Sequence, residues 1–548
     1  MTSPVLPLLM AGVGFCFGRW WPSGQASPQD LEGASKASTY SSITKGFETQ
    51  RQRVAMSVKE VCFIGAGYVL GALTAIVLAS KNSDVKFTVV DKNKNVISSW
   101  NSHHIPLFEP GLEELYFDES EQKVHADGER PRRRRLQNIA FSTAMDECIM
   151  AADMIFICVD TPLHGSFNHD MEWKGLDLTN IMAVAERIAA VSIRHQTVVL
   201  KSTVPCGMVG GVKQVLENKA NTTASFDVIS SPEFLAQGSA IRGLLYPNRV
   251  VIGDATQSTG AVSALKSLYK WMPADRIITV NTWSSELSKI ASNAFIAQRI
   301  SSINSLSAVC ESSGANVHDI SRVVGTEPRV GPLSLRAGFG FGGSCLYKDV
   351  CCLVYLAQEL GLSEVADYWK AVVRLNDWQN ERILNRIVEF LPPHQEFNTC
   401  GQVAILGLTF KKDTLDTRNS TAIGLVQGLR QSGAKVRLYD PRLRFDQIEC
   451  IFGSATSEMV VAGIEDACRG CHALVIHTNW DEFADCTIPW ERISSSMMEP
   501  KVLLDPWGVT SHQPMEKYGF RIMDIGIRHE WEQQWLPLQS DSIGLVSP

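Results

Sequence analysis

Val61-Cys-Phe-Ile-Gly65-Ala66-Gly67-Tyr68-Val69-Leu70-Gly71 is an apolar run of strand length that breaks into glycines, and an Ala- and Leu-rich stretch continues from it to Ser80. Lys86-Phe-Thr-Val-Val90 follows and ends in Asp91. Two apolar runs on either side of a helical stretch predict a strand, a helix and a second, parallel strand. In that context the glycines allow a tight turn and close approach of backbone to a pyrophosphate at the helix N-terminus. An acid about twenty residues past the last glycine then takes the ribose hydroxyls. Gly65, Ala66, Gly67, Tyr68, Val69, Gly71 and Asp91 are therefore candidate NAD contacts, and Asp91 favours NAD over NADP because a carboxylate repels a 2′-phosphate. The spacing departs from Gly-x-Gly-x-x-Gly: Leu70 stands at the third glycine and Gly71 comes one residue late. A side chain or an extra residue there is expected to weaken NAD binding.

Working outward, four more apolar runs each end in a polar cluster. Met154 to Cys158 leads to Val159-Asp-Thr161-Pro162, and Thr197 to Leu200 leads to Lys201-Ser202-Thr203-Val204-Pro205. Val228 to Ser230 leads to Ser231-Pro-Glu233-Phe234-Leu235, and Val250 to Ile252 leads to Gly253-Asp254. Ligands of open α/β sheets bind outside the carboxyl ends of the strands, so all four clusters are expected over one edge of one sheet.

The later chain repeats the opening order. Gln402 to Leu406, a turn at Gly407, a helical stretch near Ala422 to Gln431 and a strand from Lys435 to Tyr439 end in Asp440-Pro441. Between the two units, Trp283 to Glu311 has no Gly or Pro and shows helical periodicity. That spacing puts Lys289 and Asn293 on one face as two donors suited to an oxyanion. Gly338-Phe339-Gly340-Phe341-Gly342-Gly-Ser-Cys345 then removes side chains from one side of a loop and delivers a thiol. Lys348 and Asp349, within one helical turn, are the expected titratable partners of that thiol. The predicted fold class is α/β, with two Rossmann-like doubly wound domains joined by a long central helix.

The composition limits the function. A chain of 548 residues, 45% apolar and 20% charged, has the balance of a soluble globular protein of several domains. Its net charge of -7 argues against a nucleic-acid partner. Fourteen scattered cysteines point to a reducing compartment, the cytoplasm. Cys468-Arg-Gly-Cys471 has no second pair to complete a metal site, so no metal is expected. Val5 to Phe17 is apolar but shorter than the roughly 20 residues of a membrane span. Gln25 to Arg53 is polar and Ser-rich, which predicts a disordered extension, with a membrane anchor as the alternative role of this segment. The expected divisions are an extension over 1–57, an NAD-binding domain over 58–280, a central helical region over 281–395, a second Rossmann-like domain over 396–530 and a tail over 531–548. The charged segment from Glu119 to Leu136, with Arg130 and Arg132 to Arg135, reads as a solvated loop because acids sit beside its arginines.

Asn281-Thr-Trp-Ser-Ser-Glu-Leu-Ser-Lys289, the run from Asn293 to Asn304, Gly342-Gly-Ser-Cys345 and Phe410-Lys411-Lys-Asp-Thr414 resemble the UDP-glucose 6-dehydrogenases of the UDP-glucose/GDP-mannose dehydrogenase family. The resemblance covers about Lys59 to Ile527. It implies Cys345 as catalytic nucleophile, Glu233 as general acid/base, and Thr203, Lys289, Asn293 and Asp349 as further catalytic groups. It further implies NAD contacts at Val159, Thr161, Pro162, Ser202, Thr203, Val204, Gln237, Cys345 and Arg418. The UDP-glucose site would comprise Glu233, Phe234, Leu235, Lys289, Asn293, Arg336, Phe339, Gly340, Phe341, Gly342, Phe410 and Lys411. Arg329 would reach the substrate of a neighbouring subunit, in a homo-oligomer built from dimers, with a hexamer as one form. Val96, Leu200, Gln237 and Trp507 replace charged residues usual in that family.

Overall fold

The computed structural model describes residues 57–535 except 68–69, 103–104, 119–132, 135, 165–172, 174, 221–222, 255–258 and 393–400. The N-terminal extension, the C-terminal tail from 536, Tyr68, Val69 and nearly all of the charged loop at 119–136 lie outside the described residues. Eight strands form the first sheet: β1 (Glu60–Ile64), β2 (Lys86–Val90), β3 (Ile139–Ser142), β4 (Met154–Ile157), β5 (His195–Leu200), β6 (Ser225–Ser230), β7 (Val250–Asp254) and β8 (Ile277–Val280). Their order is β8-β7-β6-β5-β4-β1-β2-β3. Every neighbouring pair in the run β6-β5-β4-β1-β2-β3 is parallel, which accounts for the near-continuous apolar sequences of these strands: helices cover both faces. Each fully buried Phe or Ile, such as Phe63 and Ile157, contributes roughly 1.5 to 3 kcal/mol.

One expectation fails at β7, which pairs antiparallel to β6 through Ile229 with Asp254 and Ser230 with Gly253. The connection contains a helix of six residues, Ala240–Leu245, about 9 Å long at 1.5 Å per residue. The strand starts beyond the carboxyl edge and runs back toward it. Gly253-Asp254 therefore lies within the sheet instead of joining the other three clusters. Gly253 serves packing, since a Cβ there would come within 2.4 Å of the Ser285 Cβ.

This reversal places the central helix. β8 runs parallel to β7 with Val280 level with Gly253, so helix α2 (Thr282–Ser313) leaves the sheet at the carboxyl edge. Asn281 caps it, Oδ1 accepting from the Ser284 N–H at 2.8 Å. Helices α3 (Leu346–Glu359) and α4 (Ser363–Glu389) pack on it through Ala294 and Ala297, whose small side chains let Val350, Val354 and Val373 approach closely.

The second unit is a parallel five-stranded sheet of β9 (Gln402–Leu406), β10 (Lys435–Tyr439), β11 (Ala473–Ile476), β12 (Val502–Leu504) and β13 (Arg521–Ile522), in the order β10-β9-β11-β12-β13. The internal repeat is physical as well as sequential. Gly65 and Gly407 both have positive φ, +111° and +88°, and each donates its N–H to the last residue of the next strand at 2.8 Å. Asp91 then accepts from the Ala66 N–H at 2.9 Å, and Asp440 from the Leu408 N–H at 2.8 Å. In each unit an acid at the end of the second strand grips the turn after the first.

Candidate active site

The nucleotide cradle lies between β1 and helix α1 (Gly71–Lys81). A Cβ on Gly65 would stand 2.6 Å from the Cys158 carbonyl oxygen, and one on Gly71 would stand 1.9 Å from the Gly65 oxygen. Around Gly67 the space is open. The close helix-to-strand contact that the third glycine provides is thus made by Gly71, and Leu70 packs partly buried against the core. The arrangement fits a dinucleotide: a tight turn, an open approach over Gly67 and a carboxylate, Asp91, at the end of β2.

Beside this cradle the ends of β4 and β5 interlock. Thr161 Oγ1 donates to the Thr203 carbonyl at 2.8 Å, and Ser202 Oγ donates to the Val159 carbonyl at 2.6 Å. The Pro162 carbonyl accepts from the Asp177 N–H, and Val204 is buried. From β6, Glu233 Oε2 lies 2.7 Å from Lys201 Nζ, while Oε1 accepts from the Phe234 N–H at 2.9 Å. The Phe234 ring carries the Arg249 guanidinium at 4.1 Å and Lys289 Nζ at 5.8 Å. Leu235 packs against the first core.

The glycine loop is clamped from α2 and α4. The Gly338 N–H donates to Asn304 Oδ1, and the Phe341 N–H to Asn376 Oδ1 at 2.7 Å. Asn376 Nδ2 returns a bond to the Phe341 carbonyl, and Gln379 Nε2 donates to the Gly338 carbonyl. Gly340, at φ +102°, is required by this clamp: its Cβ would stand 2.4 Å from Asn376 Oδ1. Replacing Asn376 with Ala orphans the buried Phe341 N–H and is expected to lower stability by about 1 to 3 kcal/mol, read from urea unfolding, with a fall in kcat.

The loop delivers Cys345, exposed, to the N-terminus of α3, the positive end of that helix dipole. Ser344 Oγ lies 3.8 Å from its sulfur. Lys348, expected beside the thiol, turns instead to Thr161 Oγ1 at 3.2 Å, because helical geometry aims it at the end of β4. Two cations of the second unit, Lys411 and Arg418, lie close enough to interact with the charge of Cys345. Burial lowers the pKa of Lys411, opposed by Glu109, Asp413 and Cys345. Phe410 lies over Gly342 and Gly343, where added Cβ atoms would meet it at 3.2 and 2.9 Å. One turn beyond Cys345, the fully buried Asp349 accepts from Asn293 Nδ2 at 2.6 Å, its other oxygen 3.8 Å from Lys348.

Gln237 Nε2 donates to Asp416 Oδ2 at 3.1 Å across the two units, and Asp416 holds Arg418 by a bidentate pair. Arg336 Nε donates to the Pro506 carbonyl, with its guanidinium 5.9 Å from the Trp507 ring centroid. Phe339 stacks on His477 at 4.6 Å, and the Trp507 indole donates to the His477 carbonyl. Arg329 is not brought into this cluster; it is 87% exposed and pairs with Glu327. Lys201, Asn376 and Gln379 had no assigned part in the sequence reading. Lys201 alone carried a signal, as a cation among the strand-end polar residues.

Burial pushes the His477 pKa down to about 3. The fold favours its neutral form, so the stability it contributes is complete above the unfolded value near 6.5 and is lost as pH falls toward 3. Between these limits the slope from this one proton is about 1.4 kcal/mol per pH unit, and the pH dependence of the unfolding free energy from urea titrations should be shallower by about that slope in His477→Gln than in the wild type.

Two Rossmann-type units, a nucleotide cradle and a thiol at the junction define a nucleotide-dependent dehydrogenase. Residues 59–272, 283–378 and 404–512 match the NAD-binding, central and UDP-binding domains of the UDP-glucose/GDP-mannose dehydrogenase family. The chain belongs to that family, and its cofactor is NAD. It is 40% identical over 486 residues to UDP-glucose 6-dehydrogenase of Drosophila melanogaster, covering 86% of this chain and 97% of that one. The enzyme of that name from Gallus gallus is 41% identical, with 86% and 93% covered. Among solved structures, a UDP-glucose dehydrogenase from the hyperthermophilic archaeon Pyrobaculum islandicum superposes with a TM-score of 0.70 at 26% identity, covering 87% of this chain and all of that one.

Proposed function

We propose that the chain oxidises the primary alcohol of UDP-glucose to the carboxylate of UDP-glucuronate, with two NAD and one water per sugar. The observation that carries this reading is the placement of Cys345: an exposed thiol on a clamped glycine loop, with Asp349 and Asn293 a helical turn away and Phe410, Lys411 and Arg418 of the second unit beside it. Bound NAD, held by the loop from Gly65 to Gly71 and by Asp91, supplies the hydride acceptor. Glu233 takes the hydroxyl proton as hydride leaves carbon 6, giving an aldehyde. The Cys345 sulfur adds to the aldehyde carbon, and the carbonyl oxygen becomes the oxyanion of a thiohemiacetal, stabilised by Lys289 and Asn293. That carbon again bears a hydrogen, so loss of a second hydride leaves a thioester. After Glu233 has passed its first proton to solvent, it deprotonates a water positioned by Asp349; the oxygen bonds to the thioester carbon, the carbon–sulfur bond breaks and the thiolate is freed.

The names of the relatives and the match to a UDP-binding domain support the substrate. Apolar residues exposed on α2, among them Trp283, Phe295 and Val309, support a homo-oligomer built from dimers. The free thiols of the described cysteines support a cytoplasmic site of action, and among the described residues no helix is long and apolar enough to cross a membrane. The test is NADH counted against sugar consumed. Two NADH per UDP-glucose is the expected result; turnover of another nucleotide sugar alone, or UDP-sugar binding without NADH, overturns the reading.

A further inference from the structure

Lys201 and Glu233 stand at the carboxyl ends of neighbouring strands, 2.7 Å apart, with side-chain exposures of 3% and 15%. The Lys201 backbone is fixed as well, its N–H donating to the Ile157 carbonyl at 3.0 Å. The other titratable groups whose charge Lys201 feels are Tyr269 and Cys158. Burial pushes both upward, Cys158 to about 12, so both are neutral near pH 7. Glu233 is therefore the negative charge among these groups that balances the buried ammonium. Burial alone would lower the pKa of Lys201, but the attraction of Glu233 and its hydrogen bond oppose that and the net shift is upward. With Oε2 on Lys201 and Oε1 on the Phe234 N–H, the carboxylate is held in orientation as well as in charge.

We propose that Lys201 is a positioning residue for the oxidation: by its direct ion pair it holds the Glu233 carboxylate in the orientation in which the acid/base step uses it. The inference rests on the role given above to Glu233. A buried ion pair adds little to stability against an apolar pair of equal shape, whereas removing one partner leaves an uncompensated buried charge. Keeping the pair on the cofactor side of the sheet is thus better explained by the chemistry of Glu233 than by folding energy.

The experiment measures kcat/KM for UDP-glucose from pH 5 to 9 in the wild type, Lys201→Met, Lys201→Arg and Glu233→Gln, with KM for NAD measured in parallel. In Lys201→Met the acid limb should move up by about one pH unit or more, with kcat/KM at pH 7 down roughly tenfold to a hundredfold and KM for NAD within about threefold. Lys201→Arg should return the limb to its wild-type position. An equal loss at every pH, with the limb unmoved, overturns the proposal and marks Lys201 as structural. Full activity in Glu233→Gln instead overturns the role of Glu233 itself, so the two failures are distinguishable. If Lys201→Met does not fold, the double variant with Glu233→Gln removes both charges and should recover the denaturation midpoint lost in the single variants; additive losses overturn the pairing.

Discussion

Cys345→Ala should lower steady-state NADH formation from UDP-glucose by at least about 10⁴-fold and leave the sugar nucleotide's Kd within about threefold. The size follows from the chemistry: without sulfur the aldehyde has no covalent partner, and the second hydride has no thiohemiacetal to leave. The fold should not notice. Cys345 makes no side-chain capping bond to α3, and its sulfur is exposed with Ser344 Oγ at 3.8 Å. Loss of activity with unchanged calorimetric binding and an unchanged unfolding midpoint is the expected pattern; a variant that keeps wild-type turnover rules out the covalent route.

Gly71→Ala should come next in effect. A methyl at this position falls 1.9 Å from the Gly65 carbonyl oxygen and 3.3 Å from the Cys158 Cβ, and the nearest atom belongs to backbone, which cannot swing aside. Either α1 lifts from β1 or the turn at Gly65 opens, and both move the helix N-terminus expected to face the pyrophosphate. Overpacking of about 2 kcal/mol or more would raise the Kd for NAD by roughly 30-fold or more in isothermal titration. Leu70→Gly provides the contrast. If the close contact belongs to position 71, this change shifts NAD affinity by less than about threefold; a large gain in affinity would show instead that the unusual spacing weakens the site.

Much of this protein was written in local pattern. The strand, glycine turn, helix and strand of each unit follow from runs of apolar residues and from the one turn chemistry that lets a chain reverse so tightly, and these act within a few residues of one another. The same locality made three of the strand-end clusters and Cys345 legible as a candidate site, because parallel strands deliver their carboxyl ends to one edge. What depended on the path of the chain was not legible. The reversal of β7 rests on pairing between distant segments, and it decides where α2 starts and hence where Lys289 and Asn293 lie. Lys348 and Asp349 are adjacent in sequence, yet one reaches Thr161 and the other Asn293. The pairing of Lys201 with Glu233, and the grip of Asn376 and Gln379 on the glycine loop, join residues on separate elements. Periodicity reports which face an element buries, but the partner on that face is chosen when the units pack, so tertiary structure alone decided which charge meets which.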